Sequence, residues 1–261
     1  MRGMALFLLV CGLVAWRPAG AVTISTTADV GSVPGAAGTG LAGTIYQFGN
    51  TEPTNWSQAA SLIAASSGSV ATFKTTALCY PDCSGNTIND SPETFSSYVG
   101  SGTNSNSFSY TSTGAAPTQI ANSAMIITGY IAITQAGTYT FNLGSDDSSL
   151  LYIGGQQIVN SDGQKNFAYS SGQATFTQAG LYAITVDYAE ASGSAALDLY
   201  ASGPSGSCIL GRAASCASGT TQQTGLFYSS VPTTVPEPGS LLLLAPGLIG
   251  LGALARRRRA A

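Results

Sequence analysis

The chain has 261 residues, no histidine, nine Lys and Arg against twelve Asp and Glu, and a formal net charge of −3. The absence of histidine excludes His-based catalytic triads and most catalytic zinc sites. Only 8 % of residues are charged, so polarity rests on Ser, Thr, Asn and Gly, as in many exported proteins.

Residues 1–21 have the layout of a signal peptide: Arg2 gives a basic start, Ala5 to Trp16 an apolar core, and Ala19-Gly20-Ala21 a small-residue cleavage site. Cys11 lies inside that core after Val10, which does not suit lipid attachment. Residues 22–40 read as one strand, Val22 to Thr27, and a connector rich in Gly, Ala and Thr. The roughly two hundred residues between the two processed ends suit a single domain with its own core, placed at 41–218.

Trp56 to Ala65 is the one segment that predicts a helix, with Asn55 as N-cap and Leu62 and Ile63 as docking residues. Trp56, at its first turn, reads as a packing residue. Four cysteines lie outside the signal, Cys79, Cys83, Cys208 and Cys216. An even number in an exported chain implies two disulfides with three possible connectivities, of which the local pairs Cys79–Cys83 and Cys208–Cys216 close the shortest loops and are preferred. A Cys-only zinc site is disfavoured in an oxidising compartment. The stretch from Cys79 to Tyr110 has no assignable motif and reads as an insertion.

The middle of the chain predicts strands. Ala124 to Ile133, the turn Gln135-Ala136-Gly137 and Thr138 to Leu143 carry the signature of a hairpin. Leu150 to Ile153 turns at Gly154-Gly155 into Gln157-Ile158-Val159, a two-glycine hairpin. Ala174 to Phe176 turns at Gln178-Ala179-Gly180 into Leu181 to Tyr188, and Ala196 to Tyr200 completes the set. Short, regularly spaced strands with Gly-rich turns predict an all-β antiparallel sandwich.

Gly144-Ser145-Asp146-Asp147-Ser148-Ser149 is the constellation that carries chemistry. Adjacent carboxylates in a regular strand point to opposite faces, so aiming both at one ion requires irregular backbone. Two carboxylates with neighbouring carbonyls form a hard-oxygen set suited to calcium. Asp162, in Asn160-Ser161-Asp162-Gly163, reads as a turn residue. Asp187 and Asp198 alternate within strands and read as exposed-face residues.

Residues 219–234 predict a last strand around Leu226 to Tyr228 and then a linker. Residues 235–261 combine Pro236-Glu237-Pro238, an apolar run from Leu241 to Ala255 and a basic end, Arg256, Arg257, Arg258 and Arg259. The apolar run is shorter than the ~20 residues of a spanning helix, so it suits a transient transmembrane anchor with the arginines on the cytoplasmic side. This tail resembles the PEP-CTERM sorting signal of Gram-negative bacteria, which is recognised and cut by an exosortase-type peptidase. With both ends removed, Lys74, Lys165 and Arg212 face eleven carboxylates, a net charge of −8. Such a surface excludes nucleic acid as a partner.

The ordered string Ala136 to Phe141, Gly144 to Ser148, Leu151 to Gly155, Ala179 to Tyr182 and Val186 to Glu190 resembles the PA14 domain, the lectin-like β-sandwich named after anthrax protective antigen. Gly40 to Tyr46 resembles the family's opening less closely. In sugar-binding members two aspartates joined by a cis peptide hold calcium, which ligates vicinal sugar hydroxyls, and Asp146 and Asp147 match that pair. The resemblance places a second binding loop at Glu190 to Ala195, with Ser192, Gly193 and Ser194 against the ligand and Glu190 either a third ligand to calcium or structural. Adhesin members carry an asparagine there, and this chain does not. Sugar sites often add an aromatic platform, for which Tyr169, placed on a loop, is the candidate. The combined expectation is a non-enzymatic, calcium-dependent carbohydrate-binding or adhesion protein. Signal peptidase and exosortase would process it, with a transient stay in the inner membrane. Its destination is the outer envelope or the exopolysaccharide matrix of a biofilm. The alternatives are a structural matrix protein with no glycan ligand and, behind it, a carbohydrate-active hydrolase, which would need two carboxyl groups separated across a cleft.

Overall fold

Alternating apolar positions resolve into two sheets that close on each other. In the computed structural model the described residues are 20–82, 86–100, 105–111, 119–206, 208–210 and 225–232. The chain divides into two units, Met1–Ser230 and Val231–Ala261. The expected signal peptide and the sorting tail fall outside the described residues, apart from Gly20 and Ala21. Among the described residues no helix is long and apolar enough to cross a membrane.

The first sheet has the order β1 (Val22–Ile24), β12 (Ala168–Phe176), β9 (Gly137–Asp146), β14 (Ser194–Ser202), β15 (Cys208–Leu210), and β5 (Cys79–Tyr80) and β6 (Ile88–Asn89) also pair with β14. The second runs β11 (Gln156–Ser161), β10 (Ser148–Ile153), β13 (Gly180–Glu190), β8 (Ser123–Ile133), β3 (Leu41–Gln47), β4 (Ala71–Thr75), β7 (Ser105–Tyr110). β2 (Asp29–Gly31) and β16 (Phe227–Tyr228) add to β13 and β8. Tyr139, Phe141 and Leu143 from β9 meet Ile127 and Ile131 from β8 and Val186 and Tyr188 from β13 in one buried core. Burial of each such side chain contributes on the order of 1.5–3 kcal/mol.

The predicted hairpin between Ala124–Ile133 and Thr138–Leu143 does not form, because β8 and β9 lie in different sheets. β12 and β13 likewise lie in different sheets. Both connections are Thr-Gln-Ala-Gly corners closed in the same way: the Tyr139 hydroxyl donates to the Gln135 carbonyl at 2.8 Å and the Tyr182 hydroxyl to the Gln178 carbonyl at 2.9 Å. Turn residues alone do not distinguish a hairpin from an arch between sheets, whereas a buried tyrosine tied back to the turn holds the corner. The Gly154-Gly155 hairpin forms as read, with φ of 57° and 77°.

Helix α1 spans Trp56–Ala65, and the Asn55 side chain accepts from Gln58 N at 2.9 Å. Its Ala59 packs on Ala124 and Ala189, with Trp56 and Ile63 beside them. That places α1 on the outer face of the second sheet. A second helix, α2 (Phe95–Gly100), was not anticipated. The segment beginning at Cys79 contributes to the core: Tyr80, Phe95, Tyr98 and Val99 are fully buried members of it. The elements that carry them, β5 with two residues and α2 with six, are too short for a hydrophobic period to register in the sequence. The strand expected from Val22 forms as β1, which pairs in parallel with β12, and the connector after it contains β2, which pairs antiparallel with β13.

Two further readings are corrected. Asp187 and Asp198 are not exposed; they are 7 % and 1 % accessible. Asp187 lies on the β13 face that α1 covers, and Asp198 lies beneath the Tyr169 hydroxyl. Cys79 and Cys208 are both disulfide-bonded, and Cys83 and Cys216 lie outside the described residues.

Candidate metal and ligand site

The Asp-Asp pair marks the point where the chain leaves one sheet for the other. β9 ends at Asp146 in the first sheet and β10 begins at Ser148 in the second, so Asp147 alone makes the crossing. The Asp146–Asp147 peptide is cis. Below it the buried Ser145 hydroxyl donates to the Asp147 carbonyl at 2.7 Å and meets the Ser149 hydroxyl at 2.6 Å. This irregular backbone supplies what a regular strand lacks, two consecutive carboxylates directed to one place.

Backbone amides fix the pair. Asp147 Oδ1 accepts from Lys165 N at 2.9 Å and Oδ2 from Ala191 N at 3.1 Å, while the Asp146 carboxylate accepts from Phe167 N. The Lys165 ammonium donates to the carbonyls of Asp147 and Ser161. Burial pulls that ammonium's pKa down, against the opposing pull of Asp147, Asp146, Asp162 and Glu190. Burial and the charge of Asp147 push Asp146 up to about 6.

Glu190 ends β13 fully buried, and one ligand oxygen from each of Asp146, Asp147 and Glu190 falls within 4.8 Å of the others. The Tyr188 hydroxyl lies 2.5 Å from the Asp146 carbonyl and 2.6 Å from Glu190 Oε2. A hydroxyl has one proton to give. Both contacts are satisfied when Tyr188 donates to Asp146 and a protonated Glu190 donates to Tyr188. Burial, with the charges of Asp147, Asp146 and Asp90 added, raises Glu190 to about 10. Glu190 Oε1 is buried with no hydrogen-bond partner. Three clustered carboxylates with an orphaned buried oxygen fit a hard divalent cation, which would relieve their mutual repulsion and leave its remaining positions for oxygen ligands.

A cavity of about 610 Å³ opens over the pair, lined by Glu52, Asp146, Asp147, Gln164, Lys165, Asn166, Ser192, Gly193 and Ser194. Ser192, Gly193 and Ser194 therefore share a cavity with the aspartates. Tyr169 does not line it; it lies on β12 rather than on a loop. Trp56, the first residue of α1, packs against the Ala59, Ala124 and Ala189 cluster, and its backbone N–H donates to Asp162 Oδ1 at 2.7 Å.

Three contributors were missed. Asp90, buried behind the second loop, accepts from Gly193 N at 2.8 Å and pins that loop; burial and the charge of Asp147 raise its pKa. Glu52 enters from the connection between β3 and α1, with no sequence signal. The loop between β11 and β12 forms a whole wall through residues 164–166. Its signal was present in Asp162, read only as a turn, which also accepts from Ser148 and so ties that loop to the crossing. Burial pushes Asp162 up, yet its hydrogen bonds from Ser148, Trp56 and Gly163 leave it below the usual carboxylate range.

A family profile described as the PA14 domain matches residues 67–208, more than half of the chain. The chain belongs to the PA14 family. Beyond the matched segment, β1 to β3 and β16 complete the sandwich of this PA14 protein. The PA14 domain of the MpAFP antifreeze protein superimposes with a TM-score of 0.58 at 20 % identity, covering 78 % of this chain and 98 % of that one. A PA14 sugar-binding domain from an RTX adhesin gives 0.52 at 22 % identity, covering 67 % and 95 %. These likenesses establish the fold. No curated protein sequence matches the chain.

Proposed function

We propose that this PA14 protein is an exported, non-enzymatic binder that holds calcium through Asp146, Asp147 and Glu190 and, through the ion, a carbohydrate. The observation that carries this reading is the convergence of three buried carboxylates, one with an orphaned oxygen, two of which, Asp146 and Asp147, line a strongly polar cavity. Calcium would supply open positions for vicinal hydroxyls; Ser192 to Ser194, Gln164 and Asn166 would shape the cavity around the sugar. Sugar binding by the RTX adhesin domain of the same fold is in keeping with it. The histidine-free composition and the adjacency of the carboxylates favour binding over hydrolysis. The Pro-Glu-Pro tail motif and the Arg-rich end support processing by an exosortase-type peptidase and delivery to the outer envelope or extracellular matrix of a Gram-negative bacterium.

Calorimetric titration of calcium into the metal-stripped protein, beside Asp147→Asn, tests the reading. Saturable binding by the parent that the substitution abolishes is expected, followed by calcium-dependent retention on a glycan array. Absence of calcium binding by the parent would leave a structural sandwich protein.

A further inference from the structure

Beside the cavity, on the outer face of the first sheet, three aromatic rings are held together. Along β9 the pleat places Asp146, Gly144 and Asn142 on one face, with each two-residue step spanning roughly 7 Å. Gly144 pairs with Tyr169 on one side and Asp198 on the other, and Asn142 with Tyr200. Tyr169 and Phe167 lie over Gly144: a Cβ there would come within 2.6 Å of the Tyr169 ring and 2.9 Å of Phe167. The rings meet edge to face, Phe167 with Tyr169 at 5.2 Å and Tyr169 with Tyr200 at 5.3 Å. Tyr169 donates to the buried Asp198 carboxylate at 2.5 Å, which fixes the orientation of its ring.

Among the described residues Tyr169, 37 % accessible, is the one aromatic among the exposed large hydrophobic side chains, beside Val30 and Val231. Covering a cross-strand glycine with an aromatic ring is a known device of sheet stability. That device accounts for Tyr169 over Gly144 but not for Tyr200, two residues further along, nor for a carboxylate buried mid-sheet against the tyrosine hydroxyl, a placement costly in itself. The cluster is also continuous with the ion site, since the Phe167 backbone N–H holds the Asp146 carboxylate and Asn166 lines the cavity. The cavity has no aromatic in its wall.

We propose that Phe167, Tyr169 and Tyr200 form a second sugar subsite, which stacks the next ring of a glycan chain whose terminal unit is held over Asp146 and Asp147. The inference rests on the carbohydrate reading above and narrows its ligand to a chain of at least two linked sugars rather than a single unit. The first unit is held by hydroxyl coordination and hydrogen bonds; the second offers the C–H face of its ring to aromatic surface already fixed in place, so little side-chain entropy is lost on binding.

The test uses the full chain with calcium and matched ligands: glucose with cellobiose and cellotriose, mannose with mannobiose, and N-acetylglucosamine with chitobiose, alongside a glycan array. For whichever series binds, the disaccharide should bind about tenfold or more tightly than the monosaccharide. Tyr169→Ala should collapse that ratio toward one, with the loss falling on the longer ligands. Tyr200→Ala, which leaves Gly144 covered, should lower the ratio as well and keeps the test decisive if Tyr169→Ala does not fold. Equal affinity for single and linked sugars, or a ratio that both variants leave intact, would overturn the second subsite while the ion site stands. Failure of the calcium-loaded parent to retain any glycan would instead overturn the carbohydrate reading, and this inference with it.

Discussion

Calcium binding to this protein should release a proton, and the proton should come from Glu190. In the ion-free protein burial and three neighbouring carboxylates hold Glu190 at about 10, so it is neutral at physiological pH and its proton bridges to Tyr188. A carboxyl group ligates calcium in its ionised form, so with Glu190 as a ligand the ion-bound state holds one proton fewer. Raising the pH therefore favours binding. Between about pH 6 and pH 10 the association constant should rise about tenfold per pH unit. Below about 6, Asp146 adds a second proton and a steeper slope. At pH 7.5 the gap to a pKa of about 10 is worth about 3 kcal/mol, a few-hundred-fold loss of affinity relative to a site already ionised. Calorimetry at pH 7.5 in two buffers of different ionisation enthalpy should give about one proton released per calcium. Glu190→Gln should remove both the release and the slope between pH 7 and 9, since its amide can keep the contact with Tyr188 but has no proton to give up. Tight calcium binding with no proton release in the parent would refute the assignment and leave Glu190 a neutral structural acid.

Four other perturbations probe the scaffold. Asp187 has its pKa raised to about 6 by burial, so the folded state favours its neutral form and stability falls as pH rises from about 4 to 6. Asp187→Asn should stabilise the protein by about 1–2 kcal/mol at pH 7.5, below the ceiling of about 3 that the shift allows, and have little effect at pH 3.5, as read by urea denaturation. Asn55→Ala, which removes the cap of α1, should cost about 1 kcal/mol in the same assay. A Cβ at Gly172 would lie 1.9 Å from the Ile158 carbonyl oxygen, so Gly172→Ala should cost about 1–3 kcal/mol through forced backbone movement. Lys165→Met removes an ammonium that four carboxylates surround; its melting temperature should fall more in chelator than in calcium, and an equal fall in both would reduce Lys165 to a packing role.

Local chemistry made much of this molecule legible from sequence alone. The two-glycine turn, the Asn55 cap, the period-two strands and the Asp146-Asp147 pair each depend on neighbours within a few residues, and each was readable as written. The resemblance also placed Glu190 and the Ser192 to Ser194 segment near that pair, where the structure puts them. What the sequence left open was set by pairing partners. Gln135-Ala136-Gly137 and Gln178-Ala179-Gly180 are compatible with hairpins and with arches, and only packing of the two sheets selected arches. The polar alternation of Asp187 and Asp198 resembled a solvated face until α1 and Tyr169 covered them. Asp90, Glu52 and residues 164–166 reach the site from three connections far apart in the chain, and no local pattern foretells that convergence. Local propensity determined the strands, the turns and the carboxylates. Tertiary packing alone decided which faces were buried and which loops met, because burial depends on what comes to rest against a residue and not on the residue itself.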